Sequence, residues 1–116
     1  MVMSSIPFRS LTPALAVAPQ LTPDAMAEAA RLGFKSVINN RPDFEAGPDQ
    51  PTSAQIEAAA LAAGLAYRHL PVAPSYQSPQ EVAAFADLLQ ELPVPVLAFC
   101  RSGTRSARLF TEANSP

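Results

Sequence analysis

The stretch Val94-Pro-Val-Leu-Ala-Phe-Cys-Arg-Ser-Gly-Thr-Arg-Ser-Ala-Arg-Leu-Phe110 decides how the rest of the chain is read. Val96–Phe99 is a short apolar run suited to a fully buried strand, and a helix is expected from about Thr104 after a tight loop. Cys100, the only cysteine, then stands where the strand ends and faces the N-terminus of the helix. Successive backbone N–H groups and the helix dipole favour an anion there. Arg101 and Arg105 add positive charge, so the position favours a thiolate over a thiol. Gly103 lets the backbone curl around an anion with no side chain in the way. A lone free cysteine is more often a small buried hydrophobe. Here the flanking Arg-Ser-Gly-Thr-Arg-Ser would line an apolar core with unpaired guanidinium groups, which is costly. The loop therefore reads as reactive.

Upstream, Ser78-Pro-Gln-Glu81 is a capping box, and Val82, Phe85 and Leu89 form the apolar stripe of the helix it opens. Pro93 and Pro95 bracket the exit from that helix. Leu65–Leu70 alternates like a strand with one less-buried side. Thr52-Ser-Ala-Gln55 is a second capping box, whose helix runs to Ala63 with Gly64 closing it and Ile56, Ala60 and Ala63 on one face. Lys35–Asn39 is a strand centred on Val37 and Ile38, and Leu15–Ala18, ended by Pro19, is another. Between them Thr22 is expected as an N-cap with Pro23 in the first helical position, the helix reaching about Leu32 and stopping at Gly33. Met1–Pro13 is a leading segment with an extended piece at Phe8–Leu11. The order of strands and helices alternates throughout, without a repeat of fixed period. It predicts an α/β fold in three layers, a mostly parallel sheet of four to five strands flanked by helices. Crossovers are expected to be right-handed and ligands to gather at the carboxyl ends of the strands.

The chain of 116 residues is expected to be a single domain, residues 1–116. Apolar residues make up 48% and charged residues 16%, a globular balance with alanine dominating the apolar part. A net charge of -2 gives no basic footprint, which argues against nucleic acid and against a polybasic membrane contact. No export signal is read at the N-terminus, and one cysteine excludes an internal disulfide, so a cytoplasmic setting is expected. No metal or cofactor is expected. His69, the only histidine, lies in a strand with no second metal-type ligand beside it and is expected to be a satisfied imidazole.

Cys-Arg-Ser-Gly-Thr-Arg-Ser-Ala, from Cys100, resembles the active-site loop of single-domain rhodaneses, which carry sulfane sulfur as a cysteine persulfide. It is also similar to the loop of cysteine-dependent tyrosine and dual-specificity phosphatases. Those place five residues between cysteine and arginine, whereas four separate Cys100 from Arg105 and Ser106 holds the phosphatase arginine's place. Phe8-Arg-Ser-Leu, Ala16-Val-Ala-Pro-Gln-Leu, Gly33-Phe-Lys-Ser-Val-Ile-Asn-Asn-Arg-Pro-Asp and Tyr67-Arg-His-Leu-Pro-Val extend the likeness along the chain. Together they resemble the phosphatase-like domain of beta-lactamase hydrolase-like proteins, a bacterial family also described as sulfur transferases. That resemblance implies a dual-specificity-phosphatase-like fold rather than a true rhodanese fold. It also implies a partner, by fusion or shared operon, in a metallo-hydrolase-like protein that oxidises persulfides. The family usually continues with more helix beyond Phe110 than this chain carries.

Cys100 and Arg105 are the candidate catalytic pair, with Arg101, Ser102, Gly103, Thr104 and Ser106 as anion-binding candidates. Ser102, Thr104 and above all Ser106 could donate to the sulfur, capping being the plainer alternative. Arg41 and Asp43 follow the Lys35–Asn39 strand and are expected at the same sheet edge as Cys100. Arg41 could hold an anionic acceptor and Asp43 could be a general acid, unless the two pair with each other or cap the long loop. Dual-specificity phosphatases keep an acid in the loop that here reads Pro71-Val-Ala-Pro-Ser-Tyr-Gln, without a carboxylate. Losing it costs roughly 10²–10⁴ in rate, which argues against an efficient phosphatase unless Asp43 substitutes. Tyr76 is expected to pack its ring, with the pocket mouth as the alternative. Glu57, Glu81, Asp87 and Glu91 read as solvated helix faces.

The leading expectation is a sulfurtransferase in which Cys100 takes sulfur from a small-molecule donor as a persulfide and hands it to an external thiol acceptor. The second is a phosphatase acting on a phosphate ester through a phosphocysteine, with Arg105 or Arg101 on the phosphoryl oxygens. The third is a non-catalytic anion-binding or thiol-redox module.

Overall fold

The computed structural model describes residues 6–114. Its elements run β1 (Arg9–Thr12), β2 (Leu15–Ala18), α1 (Ala25–Arg31), β3 (Ser36–Asn39), α2 (Ser53–Ala62), β4 (Ala66–His69), α3 (Pro79–Glu91), β5 (Val96–Phe99) and α4 (Thr104–Ala113). The strands make one sheet in the order β1-β2-β5-β3-β4. β1 is antiparallel to β2 and every other pair is parallel. This is the α/β architecture the alternation predicts, with the extended piece near the N-terminus added as the antiparallel edge.

Strand alternation divides the core into two. Ala16, Ala18, Val37, Leu97 and Phe99 point to one face, where Met26 and Ala29 of α1 and Ile56 and Ala60 of α2 cover them. Leu15, Val17, Ile38, Val96 and Ala98 point to the other, under Phe85 of α3 and Leu109 of α4. Phe85 has no exposed surface, and its truncation to alanine is expected to cost about 3–5 kcal/mol. The split follows from chain direction. The path β2, β3, β4 runs one way across the sheet and carries α1 and α2, while the return from β4 to β5 carries α3. With crossovers of one hand, the return helix must lie on the opposite face.

The registers place the site. Ala18, Phe99 and Asn39 are level with one another across β2, β5 and β3, and Asn39 is level with His69 on β4. The residues that follow each strand therefore emerge at one edge. β5 leads to α4 on one face, whereas its neighbours β2 and β3 lead to α1 and α2 on the other. The loops diverge there and leave a crevice at the end of β5, the topological switch point of the sheet.

Both capping boxes form. Thr52 Oγ1 accepts from the Gln55 amide at 3.2 Å, and Ser78 Oγ from the Glu81 amide at 3.1 Å, with the reciprocal side-chain bonds present. Each is worth about 1 kcal/mol. The start of α1 differs from expectation. Thr22 and Pro23 use their carbonyls in a turn that accepts from Ala25 and Met26, so Asp24 takes the N-cap position, without a side-chain cap bond. The Ala25 amide that a Thr22 side chain would cap is already bonded to the Thr22 carbonyl. Gly33 does follow the helix, at φ 101°. No helix among the described residues is long and apolar enough to cross a membrane.

Candidate active site

The chain between β5 and α4 is four residues, Cys100, Arg101, Ser102 and Gly103. Gly103 is the N-cap of α4 at φ 90°, a left-handed conformation that glycine adopts without a Cβ penalty. A Cβ there would also lie 3.3 Å from the carbonyl carbon of Ala18, so β2 presses on the loop from below. The resulting curl turns the Gly103 N–H onto Cys100 Sγ at 3.1 Å. Cys100 N donates to Ala18 O at 3.4 Å and Gln20 N to Arg101 O at 3.2 Å, pinning both sides of the loop to the exit of β2.

Cys100 is 1% exposed and lies in the wall of a cleft of about 490 Å³. Arg41, Arg101, Arg105 and Arg108 line the same cleft, with Glu45 as its one carboxylate among the described residues. A protein of net negative charge thus concentrates four guanidinium groups around a sulfur at a helix N-terminus. Anions are favoured in that space by charge and by the dipole of α4 together.

The arginines differ in their ties. Arg105 is buried, donating Nη1 to Val72 O at 3.0 Å and Nη2 to Glu45 Oε1 at 3.1 Å, while its Nε has no partner among the described residues. Arg41 is equally buried and gives Nε to Glu45 Oε1 at 2.8 Å and Nη1 to Gln20 Oε1 at 3.0 Å. Arg101 and Arg108 are exposed at the rim. Burial would push the Glu45 carboxyl up, but hydrogen bonds and charge from Arg105 and Arg41 outweigh it and hold the group below its usual value of 4.5. Glu45 is therefore an anion at neutral pH.

Residues 7–115 match the family described as beta-lactamase hydrolase-like protein, phosphatase-like domain. The chain belongs to that family. A beta-lactamase hydrolase-like protein of Xylella fastidiosa is 38% identical over 96 residues, which is 83% of this chain and 22% of that protein. The phosphatase-like domain described here thus spans about a fifth of the length of its curated relatives. A solved structure of a phosphatase candidate from Neisseria meningitidis superposes with a TM-score of 0.79 at 34% identity, covering 99% of this chain and 82% of that one. A phosphatase candidate from Shewanella putrefaciens gives 0.77 at 20% identity, over 91% and 66% of the two chains, a likeness of fold.

Within this phosphatase-like domain the expected residues fall into two groups. Cys100, Arg105, Arg101, Ser102, Thr104 and Arg41 line the cleft, and Gly103 shapes it. Ser106 does not donate to the sulfur. It is buried, and its Oγ donates to Asn40 Oδ1 at 2.8 Å, because the first turn of α4 rotates it towards the end of β3. Asp43 is not at the cleft either: it is exposed, and its Oδ1 accepts the Ser53 N–H at 2.7 Å at the start of α2. It does not pair with Arg41. Tyr76, 64% exposed, neither packs nor reaches the cleft mouth, and lines a separate groove with Val82 and Glu112. His69 is satisfied, its Nε2–H donating to Arg41 O at 2.8 Å.

Four contributors were not expected from sequence. Glu45 sits among turn formers and carries no local signal. Arg108 does carry one, since it lies three and four residues after Arg105 and Thr104 on α4 and so shares their face. Asn40 has no exposed surface and ties three elements, donating Nδ2 to Leu70 O at 3.0 Å while accepting from Ser106. Gln20, beyond β2, steadies Arg41.

Proposed function

We propose that this domain is a cysteine-dependent phosphatase in which Cys100 is the nucleophile. The observation that carries this reading is a sulfur that accepts the Gly103 N–H at the head of α4, in a cleft where buried Arg105 keeps an unpartnered Nε. The Cys100 thiolate attacks phosphorus, an S–P bond forms and the ester P–O bond breaks. Loop N–H groups and Arg105 take the charge on the phosphoryl oxygens. Water then cleaves the S–P bond, releasing inorganic phosphate and the thiolate. No carboxylate of the Pro71–Gln77 segment can protonate the leaving oxygen, and Glu45 is held ionised. The leaving group must take its proton from water, so aryl phosphates are better substrates than alkyl ones.

A second reading rests on the same lack of a proton donor. In sulfur transfer the thiolate attacks the outer sulfur of a donor such as thiosulfate, one S–S bond forms, another breaks, and sulfite leaves without needing a proton. The persulfide then passes to an external thiol, as the chain has no second cysteine to resolve it. The four-residue spacing to Arg105 also suits a small anion.

The test sets hydrolysis of an aryl phosphate beside thiosulfate-to-cyanide sulfur transfer, using wild type and Cys100→Ser. Hydrolysis that the serine variant loses by roughly 10³-fold or more, with a phosphorylated Cys100 trapped by mass spectrometry, supports the phosphatase. Sulfur transfer with no hydrolysis replaces it by the second reading. Activity that persists in the serine variant removes both.

A further inference from the structure

Glu45 Oε1 is shared by two buried guanidinium groups, Arg41 Nε at 2.8 Å and Arg105 Nη2 at 3.1 Å. Its side chain keeps 20% exposure and faces the cleft that holds Cys100. An anion that enters the cleft therefore meets arginines already engaged by a carboxylate of the protein itself. Nη1 of Arg105 gives one N–H to Val72 O and Nη2 gives one to Glu45, so each keeps a second N–H, and the buried Nε has no partner among the described residues.

The loop around Glu45 is built to hold it there. Phe44, the residue before it, has φ 61°, a left-handed backbone that a bulky side chain rarely adopts, and its ring is 62% exposed. The ring's own packing offsets little of that strain, so the turn is kept by bonds elsewhere. Gln50 supplies them: Oε1 accepts from Ala46 N at 2.9 Å and Nε2 donates to Pro42 O at 2.8 Å, closing the loop on both sides of Glu45.

We propose that Glu45 is a positioning residue that serves as a resident counter-anion: it holds the Arg105 guanidinium in place for the substrate oxyanion and weakens ground-state anion binding in return. The inference deepens the phosphatase reading and rests on it for its turnover arm. A carboxylate placed only for stability would move affinity and turnover together. Here they move apart, because charge and alignment are two different contributions of one group.

The experiment uses the full chain with Glu45→Gln, which keeps size and loses charge, and Glu45→Asp, which keeps charge and loses reach. Sulfate binding is measured by calorimetry, and Cys100 alkylation by iodoacetate is compared with that by neutral iodoacetamide. With one opposing charge removed, Glu45→Gln is expected to bind sulfate roughly three- to ten-fold tighter and to favour iodoacetate by a similar factor. Its kcat on an aryl phosphate is expected to fall roughly ten-fold as Arg105 loses alignment. Glu45→Asp is expected to lose kcat without tightening sulfate. Unchanged or weaker sulfate binding by Glu45→Gln overturns the counter-anion role, and an unchanged kcat overturns the positioning role. Should the glutamine variant fail to fold, Glu45→Ser, which aims no amide at the two arginines, repeats the test. If the wild type hydrolyses nothing, the sulfate and alkylation arms still decide the counter-anion role, so that failure is separate from failure of the phosphatase reading.

Discussion

Two loops meet over Cys100, and they are built in opposite ways. The one between β5 and α4 has four residues, 100–103, while the one between β3 and α2 has thirteen, 40–52. In the short loop the decisive contact is local, a glycine amide three residues on from the sulfur it binds. In the long loop the decisive contacts reach far, Glu45 to Arg105 across sixty positions and Asn40 to Ser106 across sixty-six. The short loop could hold an anion by its own backbone, whereas the long one supplies a side chain whose direction depends on everything around it. Reactivity and control of charge are thus divided between a segment held by its own backbone and one held by contacts with distant elements.

The two loops touch at Arg105, which gives Nη2 to Glu45. Arg105→Lys keeps the charge but not the planar fork, and aryl phosphate turnover is expected to fall roughly 10²-fold or more. The same variant leaves Val72 O and Glu45 short of donors and is expected to lose about 1–3 kcal/mol in chemical denaturation. An activity loss within two-fold would mean that charge alone suffices and that the long loop contributes no geometry.

Gly103→Ala tests the short loop alone. At φ 90°, with Ala18 beneath, alanine is expected to cost about 1–3 kcal/mol of stability and to slow alkylation of Cys100 as the N–H leaves the sulfur. Alkylation rates equal to wild type would show that the curl does not activate the thiolate.

The long loop is tested by acid. Because the folded state holds the Glu45 carboxyl below 4.5, Glu45 adds stability that is present above that value and fades as pH falls through its depressed folded value. The stability difference between wild type and Glu45→Gln should therefore be level at neutral pH and shrink on descending below about 4.5. A difference that grows on acidification would contradict the ion pairs. The smallest effect belongs to Asp43→Asn, which removes charge from the start of α2 and is expected to cost about 0.3–1 kcal/mol while leaving turnover unchanged. A fall in turnover would bring Asp43 back to the cleft and unsettle the contrast between the two carboxylates of this loop.

Much of this was legible before the structure. Val96–Phe99 followed by Cys100 and Gly103 marks strand, turn and helix by composition alone, and the two capping boxes place the starts of α2 and α3 to the residue. Thr22 misleads because a turn precedes the helix, and the Thr22 carbonyl rather than its side chain accepts from the Ala25 amide. Ser106 and Asp43 mislead for a different reason: each is a good hydrogen-bonding group near the right place in sequence, with a better partner in space. Arg108 could have been found by counting helical positions from Arg105.

By itself the sequence determined the alternation of strands and helices, the edge at which the sulfur emerges, and the glycine that curls the backbone over it, because these depend on side-chain period and on φ within a few residues. Only the tertiary structure decided that Glu45, rather than Asp43, is the carboxylate lining that cleft and that Arg105, rather than Arg101, is the loop arginine turned inward. Both are settled by contacts between β3, β4, β5 and α4, segments that meet only once the sheet has formed, and a loop with many accessible conformations takes its shape from what it is packed against.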